Sequence, residues 1–109
     1  MNYRCAVIEK LKQYDEEQII ITDHAKKQAL FRSIDLCEVK KNLLKPEWLF
    51  FAGKQVSNNL YEEKFDCYFA YSKTQCQRYI IVFNESCVVC TVIKINIRWQ
   101  RMVEKYANI

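Results

Sequence analysis

The sequence predicts an α+β protein in which a helical hairpin packs on an antiparallel sheet of about four to five strands. Apolar residues recur with a helical period before Pro46 and with a period of two after it. Half of the 109 residues are apolar and 14% are aromatic, so the chain can bury a core without covalent cross-links. We therefore expect residues 1–109 to form a single domain, with additional helices at both ends.

The N-terminal part of the chain is predicted to form a helix and then a short strand. A helix from Tyr3 to Tyr14 is expected because apolar side chains recur on one face, at Tyr3, Val7, Leu11 and Tyr14. The sequence Gln-Ile-Ile-Ile at residues 18–21 predicts the strand.

A helical hairpin is expected to follow this strand. Thr22 or Asp23 is a suitable N-cap for a second helix from Asp23 to Arg32. Asp35 and Glu38 form a capping-box pattern at the start of a third helix, which ends before the proline.

The second half of the chain is predicted to form strands and a closing helix. Five segments resemble strands, namely residues 47–52, 59–65, 66–72, 78–83 and 87–95. The segment Tyr79–Phe83 is apolar on both faces, which is typical of a central strand. A C-terminal helix is predicted from apolar residues at helical spacing, namely Trp99, Met102, Val103 and Tyr106.

Composition and charge limit the classes of function. No apolar run is longer than Tyr79–Phe83, which is far too short to span a membrane, and the N-terminus has early charges without an apolar signal segment. We therefore expect no membrane partner and a cytoplasmic location. The net charge of +4 is compatible with a polyanionic partner.

Six cysteines suggest metal or redox chemistry, but their sequence context favours buried thiols. Cys87 and Cys90 lie in an apolar strand, where residues three apart are roughly 10 Å apart and face opposite sides. A disulfide requires Cα atoms within about 7 Å, so these two cysteines should not bridge. No metal or other cofactor is predicted. A metal or redox site remains an alternative, formed by Cys67, Cys76, Cys87 and Cys90.

His24, Gln28 and Arg32 are spaced by four on the predicted second helix and therefore share one stripe. A histidine in the first helical turn lies near the positive end of the helix dipole, which favours its neutral form. A neutral imidazole can accept a proton, so His24 is a candidate general base. The alternative is that His24 binds a strand carbonyl and holds the helix on the sheet.

The segment "HAKKQALFRSI" resembles the signature of a family of small domains, the domain of unknown function 4258. That signature has His-Ala, an arginine four residues after the histidine, a second arginine four residues later, and then an isoleucine. His24, Ala25, Arg32 and Ile34 match it, whereas Gln28 stands where the first arginine is usual. "NLLKPE" and "CVVCTVIK" are similar to the later parts of the pattern. The resemblance covers residues 19–96.

This family is grouped with the RelE/ParE-like toxins, so the resemblance implies a RelE-like fold. It also implies an antitoxin partner and an action on RNA or the ribosome. For a metal-independent endoribonuclease, a 2′-hydroxyl attacks its own phosphate, which requires a base, an acid and cations. The candidate catalytic residues are His24, Arg32 and Arg98. The candidate nucleic-acid-binding residues are Arg78, Lys94, Arg101 and Lys105.

Tyrosines could stack bases on a sheet face, and the candidates are Tyr68, Tyr71 and Tyr79. Alternatively, they fill the core, and the basic residues form a solvated surface. A non-catalytic module of the same fold, binding nucleic acid or protein, is the second functional hypothesis.

Overall fold

The computed structural model describes residues 1–57, 59–72 and 74–96, and within these ranges it shows an α+β fold. The helices are α1 (Arg4–Leu11), α2 (Asp23–Phe31) and α3 (Leu36–Leu44), with a short 3₁₀ helix at Glu16–Gln18. The strands are β1 (Ile19–Ile21), β2 (Leu49–Gln55), β3 (Glu63–Ala70), β4 (Gln75–Phe83) and β5 (Cys87–Asn96). None of the described helices is long and apolar enough to cross a membrane.

The five strands form one sheet in the order β1-β5-β4-β3-β2. Strands β2 to β5 are antiparallel neighbours, as predicted. The expectation of a wholly antiparallel sheet is wrong for β1, which runs parallel to β5. No tight turn connects these two strands, because the helical hairpin and the other three strands separate them along the chain.

Side-chain caps determine where the helices of the hairpin begin. The Thr22 hydroxyl accepts a hydrogen bond from the Ala25 amide, and the Asp35 carboxylate accepts one from the Cys37 amide. Ser33 has a positive φ of 53° between the two helices, and the following amide, that of Ile34, donates to the Ala29 carbonyl at 2.8 Å. This local geometry terminates α2 and redirects the chain into α3.

Two predictions of element boundaries are wrong, and a third falls on residues that the structure does not describe. Helix α1 ends at Leu11, because Tyr14 instead stacks on Phe83 with 5.8 Å between the ring centroids and donates to the Asn84 carbonyl. Residues 59–65 and 66–72 do not form two strands, since a single strand, Glu63–Ala70, contains parts of both. The predicted helix containing Trp99 to Tyr106 lies outside the described residues.

The sheet has apolar clusters on both faces. The main core is formed by buried side chains of the helices together with the β3 residues Phe65, Cys67 and Phe69. Because side chains alternate along a strand, Tyr68 lies on the opposite face, where it packs with Phe51 and Cys76. The candidate tyrosines of the sheet are therefore divided between two faces.

Candidate functional site

The stripe on α2 lies against a projecting part of β5. The β5 strand continues beyond its pairing with β1, which ends at Val89. Gln28 Oε1 accepts a hydrogen bond from the Val92 amide at 3.0 Å, and Arg32 donates to the Val92 carbonyl at 3.5 Å. These two residues thus attach α2 to the backbone of β5.

His24 lies at the start of the same stripe and is exposed. It lines a shallow depression of about 230 Å³ together with Gln28, Arg32, Lys27 and Phe31. An imidazole, a lysine and an arginine therefore share one small surface on α2.

Arg78 lies on the sheet face that carries Tyr68, away from α2. Its guanidinium forms two hydrogen bonds of 2.6 Å to the Asp66 carboxylate, and it lies 5.7 Å from the centre of the Tyr68 ring. Asp66 is buried, and the Tyr68 hydroxyl also donates to it. The charge of Arg78 is therefore balanced within the protein, and this predicted RNA contact is already engaged with Asp66.

The other predicted cations have different positions. The Lys94 ammonium donates to the Ser33 carbonyl at 3.0 Å and lies 5.4 Å from the centre of the Tyr71 ring. Lys94 is thus close to the C-terminal end of α2. Arg98, Arg101 and Lys105 lie outside the described residues.

Two of the three candidate tyrosines are buried. Tyr68 and Tyr79 expose 1% and 0% of their surface, whereas Tyr71 exposes 49%. Burial raises the pKa of Tyr68 to about 12, and the nearby Asp66 carboxylate adds to this effect. The Tyr79 hydroxyl accepts from Asn42 and donates to Gln77. Only Tyr71 of the three presents its ring for stacking.

The cysteines do not converge on one site. All six are free, and Cys67 and Cys87 lie in the main core, while Cys76 lies in the cluster on the opposite face. Burial raises the pKa of Cys76 to about 11 and that of Cys87 to about 12, so these thiols are protonated near neutral pH. Within the described residues, no group of three potential metal ligands is close enough to hold an ion.

Two cavities on either side of α3 were not anticipated from the sequence. The first, which we call the β1 groove, has a volume of about 640 Å³ and lies between α3 and β1. The second, which we call the aromatic cavity, has a volume of about 690 Å³ and is lined by Trp48, Tyr71 and Asn42. Lys41 and Lys45 line both. The sequence signal for these two cavities is the group of lysines in and directly after α3, namely Lys40, Lys41 and Lys45.

The aromatic cavity combines stacking surfaces with both signs of charge. Trp48 is 61% exposed and faces the same cavity as Tyr71. Two carboxylates, Glu38 and Glu47, line it together with the two shared lysines. The cavity can therefore contact an aromatic ligand by stacking, by hydrogen bonds and by ion pairing.

Comparison of the chain with family models, with curated proteins and with solved structures finds no match. The fold and the two cavities define the chain as an α+β domain with a mixed sheet and a basic helix between two potential binding sites.

Proposed function

We propose that this chain is a RelE/ParE-like toxin-type domain that binds single-stranded RNA in the aromatic cavity beside α3. The observation that carries this proposal is the placement of Lys41 and Lys45 in one cavity with Trp48 and Tyr71. Proteins that bind single strands combine cations for the phosphates with aromatic rings on which bases stack. The carboxylates of the same cavity favour the amino groups of bases over phosphates.

The order of elements supports the RelE-like part of the proposal. A strand, a helical hairpin and an antiparallel run of strands follow each other in the chain, as the resemblance to the family implies. The hairpin carries α3, so the proposed RNA site lies on an element that belongs to this arrangement. An antitoxin partner and a cytoplasmic location stay predictions.

RNA binding can be tested with a fluorescently labelled, unstructured RNA and anisotropy titrations. The K41Q/K45Q double variant and Trp48→Leu should each weaken binding by about tenfold, because they remove phosphate contacts and a stacking surface. Lys12→Gln is the matched control, since Lys12 is an exposed lysine of the segment after α1 and pairs only with Glu9 among the described residues. An equal loss in the control, or no binding by the original protein, would contradict the proposal.

RNA cleavage is the second candidate function, and the depression on α2 favours it. In this reaction His24 would take the proton of a 2′-hydroxyl as its oxygen bonds to the adjacent phosphorus, and the bond from phosphorus to the 5′-oxygen would break as that oxygen takes a proton from water. Lys27 and Arg32, which line the same depression, would stabilise the charge that develops on the phosphate. The reaction would be independent of metal, so it should persist in excess EDTA, with or without ribosomes. His24→Ala should abolish specific cuts but leave RNA affinity unchanged, and Arg98→Ala, at a second candidate catalytic residue, should likewise lower cleavage far more than binding.

The absence of cutting under both conditions would favour the non-catalytic alternative. In that case, binding without cleavage should persist in His24→Ala and should depend on Trp48. His24→Ala on α2 therefore tests RNA cleavage, and Trp48→Leu at the aromatic cavity tests RNA binding.

A further inference from the structure

The outer edge of β1 presents backbone groups for pairing. The Thr22 amide donates to the Val89 carbonyl at 3.1 Å, so the backbone of Thr22 faces β5. Because successive residues of a strand point their amides and carbonyls in opposite directions, Ile20 also faces β5, while Ile19 and Ile21 face away. The Ile19 amide is bonded within the preceding 3₁₀ helix. Among the described residues, the outward amide and carbonyl of Ile21 have no backbone partner.

Parts of the other exposed edges of the sheet are hydrogen-bonded by the chain itself. On β2, the Tyr3 amide donates to the Ala52 carbonyl at 2.8 Å, and Asn2 bonds both the Ala52 amide and the Phe50 carbonyl. On the projecting part of β5, Gln28 and Arg32 occupy the backbone of Val92. The β1 edge differs from both, because a groove lined by lysines lies beside it.

The β1 groove has an apolar floor and a strongly unequal charge. Ile20 and Leu44 are 47% and 41% exposed, although both are large aliphatic residues. Four lysines line the groove against one carboxylate, that of Glu16, and these lysines are Lys26, Lys40, Lys41 and Lys45. An occupant must therefore offer aliphatic side chains together with negative charge.

We propose that the β1 groove binds an extended acidic peptide segment of a partner protein, which pairs with β1 as a further strand of the sheet. The backbone of such a segment would bond the outward groups of Ile21. Its alternating side chains would place aliphatic groups near Ile20 and Leu44 and carboxylates near the lysines. This binding site is additional to the proposed RNA site and does not depend on it.

Charge and chemistry distinguish this occupant from two others. A second copy of the chain would bring the same four lysines to the opposite side of the contact, and like charges repel. RNA would satisfy the lysines, but the floor of the groove contains isoleucine and leucine side chains and no aromatic ring. Since Lys41 and Lys45 also line the aromatic cavity, a bound acidic segment should weaken RNA binding.

The first test uses a fluorescein-labelled synthetic peptide of alternating valine and glutamate. We expect saturable binding by anisotropy that weakens as salt is added. The K26E/K40E double variant should bind about tenfold more weakly or worse, because both lysines line the β1 groove and neither lines the aromatic cavity. Lys27→Glu is the matched control, since Lys27 neighbours Lys26 on α2 but lines a different depression. Urea unfolding of all three proteins establishes that they fold equally well.

Peptide controls separate strand pairing from simple charge attraction. A valine-lysine peptide should not bind, and a valine-glutamate peptide with N-methyl groups on alternate residues should bind far more weakly, since it lacks the pairing amides. Hydrogen exchange at the Ile21 amide should slow when the unmodified peptide is added. Equal binding of the N-methylated peptide, unchanged exchange at Ile21, or no binding of the valine-glutamate peptide would overturn the proposal.

Other occupants give different results. Concentration-dependent dimerisation that competes with the peptide would assign the groove to a second copy of the chain and overturn the proposal. Loss of RNA binding in K26E/K40E together with full retention in Trp48→Leu would assign it to RNA. Conversely, peptide binding that persists when RNA binding is absent from the original protein would overturn only the proposed RNA function.

Discussion

The two outer strands of the sheet, β1 and β2, differ in what lies against their outer edges. On β2, residues 2–4 bond the backbone through main-chain and side-chain groups, including a 2.6 Å hydrogen bond from Arg4 to the Leu49 carbonyl. On β1, the edge borders a groove with an apolar floor and lysines around it. Unpaired strand edges promote aggregation, and natural proteins cover them or place lysines beside them. The β2 edge is covered between Leu49 and Ala52, whereas the β1 edge is surrounded by charges that repel copies of the chain and still admit an acidic segment.

The largest loss of stability is expected from a substitution that removes a hydrogen bond to the β2 edge. Asn2→Ala removes the acceptor of the Ala52 amide, and Ala52 is fully buried. We expect the free energy of unfolding to fall by about 2 kcal/mol, because a buried donor loses its partner. Urea unfolding measures this change. Asn2→Asp keeps an acceptor oxygen and should lose less, so equal losses in the two variants would show that this bond does not stabilise the edge.

The projecting edge of β5 provides a second and slightly smaller test. Gln28→Leu deprives the Val92 amide of its acceptor and should lower the free energy of unfolding by about 1.5 kcal/mol. Gln28→Glu retains an acceptor and should preserve most of the stability. If the leucine variant were as stable as the original protein, the hydrogen bond from the Val92 amide to Gln28 would not stabilise this edge of β5.

The junction between β1 and α2 is expected to show a smaller effect. Thr22→Ala removes the N-cap bond to the Ala25 amide and the 3.4 Å bond to the Cys90 carbonyl. The expected loss is about 1 kcal/mol in thermal or urea unfolding. Thr22→Ser keeps the hydroxyl and should restore the stability, and failure of serine to do so would attribute the effect to the lost methyl group instead.

The smallest change in stability should accompany a substitution in the floor of the β1 groove. Ile20→Thr keeps a β-branched side chain at a half-exposed position, so the free energy of unfolding should change by less than about 0.5 kcal/mol. Binding of the valine-glutamate peptide should weaken about threefold, because aliphatic contact area is lost. Val56→Thr, at an exposed position after β2, is the control and should leave peptide binding unchanged. A stable variant with unaltered peptide affinity would show that the floor makes no contact with the peptide.

Local patterns predicted much of the secondary structure. An N-cap at Thr22 or Asp23, the hairpin of α2 and α3, and the last strand were each predicted from residues within a few positions of one another, and the structure has the cap at Thr22. The prediction of two strands between residues 59 and 72 was wrong because apolar alternation alone does not define where a loop ends. Leu60 and Tyr61 are apolar but 100% and 90% exposed, so they belong to the connection before β3.

Patterns among neighbouring residues predicted less of the candidate site than of the secondary structure. The spacing of Gln28 and Arg32 placed them correctly on one stripe of α2, but their contact with Val92 depends on the extension of β5 beyond β1. Arg78 was predicted as a nucleic-acid-binding residue, and its partner Asp66 was not identified because it is twelve positions away in the sequence. Their pairing follows from the register of β3 and β4. Asp66 lies opposite Ile80, and Arg78 is two residues before Ile80 on the same strand, so the side chains of Asp66 and Arg78 share one face of the sheet and can meet.

The sequence by itself determined the α+β class, the helical hairpin and the antiparallel strands, because these depend on hydrophobic period and capping between near neighbours. Only the tertiary structure decided that β1 lies at the edge, parallel to β5, and that lysines from two helices surround it. The physical reason is that strand order and edge exposure arise from pairing between residues far apart in the chain, such as Ile20 with Val88. The sequence of a single segment does not indicate which other strand it will pair with.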